Sequence, residues 1–158
     1  MQYWLMKSEP SCYSIDDLKR DRIGRWDDVR NYQARNFMRN MEKGDMVLFY
    51  HSSTKPVGVV GLARVHREAY PDPTQFDAQS YKYDAKSLEE NPRWSAVDLS
   101  FIEKFSEAMT LAELKNDPYF KNMLVVRTGM RLSVQPVEKK HFMRICNMYS
   151  TAFVPIAT

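Results

Sequence analysis

An α+β fold, built as a small curled β-barrel with short helices at its periphery, is what the sequence predicts. Three observations lead there: at least five short segments with strand character, brief capped helices between them, and no repeat or low-complexity linker in 158 residues. A chain of this length makes one domain, residues 1–158, and buries about 70% of its unfolded surface without staples or metal.

The elements follow in order. Gln2 to Met6 reads as a first strand, and Ser14-Ile15-Asp16-Asp17 opens a short helix with Ser14 as its cap and an acid three residues on. Ala34, Phe37, Met38 and Met41 recur at helical spacing, so a second helix turns that stripe into the core. Gly44-Asp45 leads into Met46 to His51, a buried strand, and after the polar loop Ser52 to Pro56 the segment Val57 to Val65 pairs with it as a long hairpin. Gly58 and Gly61 inside that segment predict a bulge or a close backbone approach. Residues 66 to 96, rich in Tyr, Pro and Asp, show no periodicity and are expected to form a functional loop or a packed lid. Val97, Leu99 and Phe101 alternate as a strand, and Thr110-Leu111-Ala112-Glu113 is a capping box whose helix ends before Asp117-Pro118. Leu124 to Thr128 and Arg131 to Gln135 read as two more strands, and Phe142, Ile145, Cys146 and Tyr149 stripe a final helix begun near Pro136. Trp4, Trp94, Phe49 and Phe101 are expected in the core.

Several classes are disfavoured. Cys12 and Cys146 form no C-x-x-C pair and read as small reduced hydrophobes. The opening segment reaches a charge at Lys7, too early for a signal peptide or a membrane span, so a cytoplasmic protein without membrane contact is expected. His51, His66 and His141 lack metal-ligand spacing, and no P-loop, nucleophile elbow or dinucleotide fingerprint is present. Neither metal nor cofactor is expected.

The segment Trp26-Asp27-Asp28-Val29-Arg30-Asn31-Tyr32-Gln33-Ala34-Arg35-Asn36 is the most informative. Its apolar stripe accounts for Ala34 but leaves Trp26, Arg30, Asn31, Tyr32, Gln33 and Arg35 without a core role. Aromatic faces stack on nucleobases, amides read a base edge, and guanidinium groups meet phosphates and ring faces. Residues 19 to 40 hold seven basic side chains, six of them Arg, against three acids, so the chain's net charge of +3 is concentrated here. Arg22, Arg25 and Arg35 are the candidates for phosphate contact. A base taken out of a duplex must regain its stacking from the protein, and Trp26, Tyr32 and Tyr50 are the candidate walls. Ser8, Glu9, Asn31 and Ser133 are candidate edge readers.

Five ordered motifs carry a resemblance that spans the chain: Tyr3-Trp4-Leu5-Met6-Lys7-Ser8-Glu9-Pro10, the Trp26 to Asn36 segment, Gly44-Asp45 with Phe49-Tyr50-His51-Ser52, Tyr70-Pro71-Asp72-Pro73-Thr74-Gln75-Phe76-Asp77, and Arg131-Leu132-Ser133-Val134-Gln135-Pro136-Val137. Together they resemble the EVE domain family. The resemblance implies a PUA-like β-barrel related to the YTH readers of methylated RNA, and a non-catalytic module that holds a modified base, with modified cytosine in DNA as the expected class. It also implies a pocket lined by Lys7, Ser8 and Glu9 after the first strand, Trp26, Arg30, Asn31 and Tyr32 along one wall, Tyr50, His51 and Ser52 at a strand end, and Arg131, Leu132 and Ser133 in the last motif. Two positions depart from the family pattern. Asp28 stands where glycine follows Trp-Asp, which puts the local backbone in question if that glycine has positive φ, and Val57 stands where a second proline is common.

Two other readings stay open. Lys7, Ser8 and Glu9 near His51 and Ser52 could form a nucleophile and base, as in the small hydrolases and nucleases of the related ASCH type, although neighbours on a strand point to opposite faces unless the strand has ended. Alternatively the arginine band docks on RNA or an acidic protein without regard to modification. The expectation is a monomer that binds nucleic acid with a modified base, DNA ahead of RNA, alone or with effector partners.

Overall fold

A computed structural model describes residues 1–152 of the chain. The first strand β1 (Tyr3–Ser8) leads to α1 (Ile15–Asp21), β2 (Ile23–Trp26), α2 (Tyr32–Asn40), β3 (Met46–His51) and β4 (Gly58–Pro71). After an irregular segment with a 3-10 turn at Pro73–Phe76 come β5 (Ser95–Thr110), α3 (Leu111–Asn116), 3-10 turns at Pro118–Phe120 and Leu124–Val126, β6 (Val134–Val137) and α4 (Lys139–Tyr149). The six strands form one sheet in the order β2-β5-β4-β3-β1-β6, with β1 and β3 parallel and every other pair antiparallel.

The apolar runs of β1 and β3 lack polar alternation because both faces of the sheet are covered. Trp4, Met6, Val47 and Phe49 meet Ile15 and Leu18 of α1 and Ala34 and Met38 of α2 in one core. Tyr3, Leu5, Met46, Leu48 and Tyr50 pack on the other face against Leu114 of α3 and Phe142, Ile145 and Cys146 of α4. Both predicted capping boxes form: Ser14 Oγ accepts from Asp17 N–H at 3.1 Å, and Thr110 Oγ1 accepts from Glu113 N–H at 3.1 Å. No helix among the described residues is long and apolar enough to cross a membrane.

The sheet does not close into the expected barrel. Its edges β2 and β6 are four residues each and do not pair; α2 packs against β4, β5 and β6 with Ala34 and Met38 buried, so a helix meets the apolar surface that a closing strand pair would have covered. Curvature comes instead from bulges between β4 and β5, one of them between Val59 and Gly61. A Cβ on Gly61 would lie 2.3 Å from the backbone oxygen of Glu103, and one on Gly58 would lie 2.1 Å from that of Met109, so these glycines mark the close approach that their positions predicted.

Other expectations are corrected. The segment 66 to 96 is not loop throughout: β4 runs to Pro71 and β5 starts at Ser95, and bulges between their outer ends erase the alternation, with His66 to Glu68 exposed on β4 while Ala96 and Val97 of β5 are buried. Leu124 to Thr128 is no strand but a short 3-10 turn, with Val125 buried in the second core. The last strand begins at Val134 and not Arg131, and its Pro136, read as a helix start, faces Trp4 on the edge strand, where a missing N–H is tolerated. The fourth helix starts at Lys139. Strand β2 escapes the pattern because its buried alternate positions are Gly24 and Trp26, and glycine adds no apolar signal. Cys146 is buried as expected, and burial pushes its thiol up to about 12, whereas Cys12 is exposed.

Candidate nucleic-acid interface

The C-terminal end of β1, the turn after it, β2 and the segment following β2 surround a solvent-open cleft of about 700 Å³. Lys7, Ser8, Glu9, Arg25, Trp26, Arg30 and Ser133, all expected at the site, line it. The sequence reading missed Cys12, Tyr13, Asp27, Asp28, Val29, Tyr81 and Lys82 as lining residues. Asp27 and Asp28 stand inside the informative segment, where Asp27 reads as a countercharge and Asp28 as a countercharge in place of the family's glycine, and Tyr81 and Lys82 lie in the aperiodic region, outside the five motifs.

Trp26, expected to have no core role, belongs to the first core at 9% exposure and also lines the cleft. Its ring packs edge-on against Phe49 at 5.3 Å and 83°, which holds the indole upright while part of it stays in reach of the cleft. The other two tryptophans are tied by their ring nitrogens, Trp4 to Asp45 at 3.1 Å and Trp94 to Asp84 at 2.8 Å. Trp26 Nε1 has no such partner among the described residues, and Trp26 lines the cleft.

Lys7 and Ser8 are the last residues of β1, and both reach the cleft. Lys7 N–H donates to Ser133 O at 2.8 Å, joining the two motifs, and Lys7 Nζ donates to Met130 O at 3.1 Å while lying 5.6 Å from the Tyr50 ring centre. Burial lowers the pKa of this ammonium, which is left with two further N–H donors. Ser8 Oγ donates to Tyr13 O at 2.5 Å.

The wall opposite depends on a buried acid. Asp72, fully buried, accepts from Asp28 N–H at 2.9 Å, Arg30 Nη1 at 3.1 Å, and the N–H and hydroxyl of Thr74 at 2.8 and 2.7 Å. Arg30 spends its remaining donors on Val29 O, Thr74 Oγ1 and, twice, Lys82 O, so it clamps the 72–82 segment to the cleft and has no N–H left for a base. Asp27 accepts from Arg25 Nε at 2.7 Å; burial, with Asp28 and Asp72 nearby, raises its carboxyl above the ordinary range despite that arginine. Asp27, Asp28 and Asp72 bring carboxylate oxygens within 4.8 Å of one another, the one such cluster of potential metal ligands among the described residues. Two of the three are already neutralised by Arg25 and Arg30, which makes the cluster a salt-bridged wall.

Asp28 takes φ of +65°, the conformation anticipated for a glycine at this position. Its Oδ2 accepts from Tyr81 at 3.0 Å, whereas Oδ1 is buried without a hydrogen-bond partner among the described residues. Asp28→Gly removes both the left-handed strain and the orphaned oxygen, at the loss of one exposed hydrogen bond. It is expected to stabilise the fold by about 1 kcal/mol, read as a higher urea midpoint with an unchanged slope.

The remaining candidates sit elsewhere. Asn31 caps α2, accepting from Ala34 N–H at 2.9 Å. Tyr32 is exposed and stacks on Trp94 at 4.9 Å. Tyr50 is buried in the second core, Leu132 in the first, and Arg131 is exposed. His51 Nε2 accepts from Ile15 N–H at 3.1 Å, burial lowering its pKa, and Ser52 N–H donates to Ser8 O at 3.0 Å. Of the three phosphate candidates, Arg25 is held by Asp27, Arg22 is exposed at the end of α1 with φ of +67°, and Arg35 donates to Arg93 O at 2.8 Å.

A family model described as the EVE domain matches residues 2–148. The chain belongs to the EVE domain family. Human thymocyte nuclear protein 1 is 43% identical to this EVE domain over 159 residues, covering 89% of the chain and 70% of the human protein. A crystal structure of a Pseudomonas syringae protein superposes with a TM-score of 0.89 at 45% identity, covering 92% of this chain and 98% of that one. Human THYN1 in complex with DNA containing 5-methylcytosine superposes on the EVE domain with a TM-score of 0.86 at 41% identity, covering 94% and 97%.

Proposed function

We propose that the chain is a non-catalytic reader of modified cytosine in DNA, which holds the flipped base against Trp26 in the cleft. The observation that carries this reading is Trp26 itself: an indole that lines an open, polar-lined cleft with its ring N–H unpaired among the described residues, on the fold that a relative 41% identical to this chain shares in complex with 5-methylcytosine DNA. A base leaving the duplex forfeits a few kcal/mol of stacking and pairing, and an aromatic wall returns about 1–3 kcal/mol of it. Lys7 and Ser133 supply hydrogen-bonding groups beside that wall for the base edge. The enzyme reading lacks support from the side-chain geometry: Ser8 donates to a backbone carbonyl, and among the described residues no hydrogen bond joins it to Lys7 or His51.

One methyl group contributes roughly 0.8 kcal/mol when buried, or about 4-fold in affinity. A duplex with a single 5-methylcytosine is therefore expected to bind several-fold tighter than its unmethylated twin in fluorescence anisotropy, and to be recovered intact. Equal affinities, or a cleaved or altered oligonucleotide, would overturn the reading.

A further inference from the structure

We infer that the DNA strand leaving the cleft runs over a ledge on α2, with its phosphates on Arg35 and Arg39 and a neighbouring base on Tyr32. The inference rests on the cleft as the base site, which sets where the ledge begins.

The two arginines that line the cleft are spoken for, Arg25 by Asp27 and Arg30 by Asp72, and Arg20 on α1 pairs with Asp17 and Asp21. Arg35 and Arg39 differ. Arg35 donates to Arg93 O and the Asn36 side chain, and Arg39 to Ser95 Oγ and the carbonyls of Pro92 and Arg93. Neither has a carboxylate within ion-pair distance among the described residues. The two lie one helical turn apart on α2, and each still has guanidinium N–H groups beyond those it donates. Burial and the charge of Arg35 together lower the pKa of Arg39, the sign of two cations held close with no anion between them. Backbone carbonyls fix both forks in place while leaving their charge uncompensated, and a phosphodiester chain meets that need.

The same ledge carries an exposed aromatic ring that a chain of contacts links to Arg30 of the cleft. Arg30, on the cleft wall, lies 5.3 Å from the Trp94 ring centre; Tyr32 stacks on Trp94 at 4.9 Å and 20°, and Arg35 lies 4.8 Å from the Tyr32 centre. Tyr32 is 53% exposed although it is a large aromatic stacked on Trp94 and flanked by Arg35, so the stack ends in a half-exposed ring. An exposed ring beside unpaired guanidinium groups has the composition of a strand-binding surface, with stacking for a base and charge for the backbone next to it.

The test measures affinity for a duplex with one central 5-methylcytosine across a salt series, alongside binding of free 5-methyl-2′-deoxycytidine. Each neutralised phosphate adds about 0.9 to the slope of log affinity against log salt. Arg35→Gln with Arg39→Gln is expected to flatten that slope by about 2, to leave nucleoside binding and the methyl preference unchanged, and to be rescued by Arg35→Lys with Arg39→Lys, which restores charge without the planar fork. Tyr32→Ala is expected to weaken duplex binding at least 5-fold and leave the nucleoside unaffected. An unchanged slope in the folded double glutamine variant would overturn the ledge. Failure of the cleft reading looks different: the wild-type chain would ignore the methyl group and the nucleoside, whatever the slope.

Discussion

Asp72→Ala is expected to lose about 3–5 kcal/mol of folding stability and with it most DNA binding. Asp72 is fully buried and accepts four hydrogen bonds: two from Thr74, one from the backbone of Asp28 and one from Arg30. Truncation leaves the Arg30 guanidinium, itself mostly buried, without its counterion, and frees the Asp28 backbone that holds the cleft wall at positive φ. The cleft and the 72–82 segment loosen together, because Arg30 is what joins them. The pH dependence follows from the same contacts. Burial pushes the Asp72 carboxyl up, but the hydrogen bonds from Thr74, Asp28 and Arg30 outweigh it and hold the group below its ordinary range. A carboxyl with a depressed folded pKa contributes stability that is present above its unfolded value of about 3.9 and is lost as pH falls through the lower folded value. Urea melts of the wild type are expected to weaken below about pH 4. Asp72→Asn is less stable at neutral pH and flatter across that acid window; an equally steep acid loss in Asp72→Asn would show that other carboxylates govern it.

How legible all this is in the sequence depends on where each residue's partners lie. Caps are local, so Ser14 with Asp17 and Thr110 with Glu113 can be read from neighbours three positions apart. Strands buried on both faces announce themselves as apolar runs, as Met46 to Tyr50 does. Gly58 and Gly61 gave away the tight crossing of β4 and β5 because nothing larger fits there. The failures share a cause: the partner is distant in sequence. That β2 and β6 stay apart while α2 packs on β4, β5 and β6 depends on distant contacts, and no local pattern encodes that. At the site, the resemblance places Arg30 on the pocket wall and residue type marks Asn31 as an edge reader, yet Arg30 is consumed by Asp72, Thr74 and Lys82, and Asn31 caps its own helix. Tyr50, taken for a stacking wall, points to the second core because strand alternation places it opposite Phe49. Tyr81 and Lys82 reach the cleft only through the fold of an aperiodic segment that Gln75 staples, donating to the carbonyls of Asp72 and Trp94 and accepting from Ser87 and Trp94.

Trp26→Ala carries the second large effect, and it acts on two quantities at once. Trp26 is only 9% exposed and braced by Phe49, so truncating it opens a cavity and is expected to cost about 3–5 kcal/mol of stability. It also removes the stacking surface for the base, which is worth a roughly 5- to 150-fold drop in affinity for methylated DNA. With the phosphates on the proposed α2 ledge, weak binding is expected to survive with its salt slope intact while the ratio of methylated to unmethylated affinity falls to one. Trp26→Phe separates the two effects. A phenyl ring can keep a contact with Phe49 and hold most of the stability, but it presents a smaller face and no ring N–H to the cleft. Its affinity for the methylated duplex is expected to fall several-fold at a near-native urea midpoint. Isothermal titration and urea melts on the two variants settle the matter. If the methyl preference persists in Trp26→Ala, the indole is a core residue that borders the cleft without touching the guest, and base recognition must be sought on the Lys7 and Ser133 side.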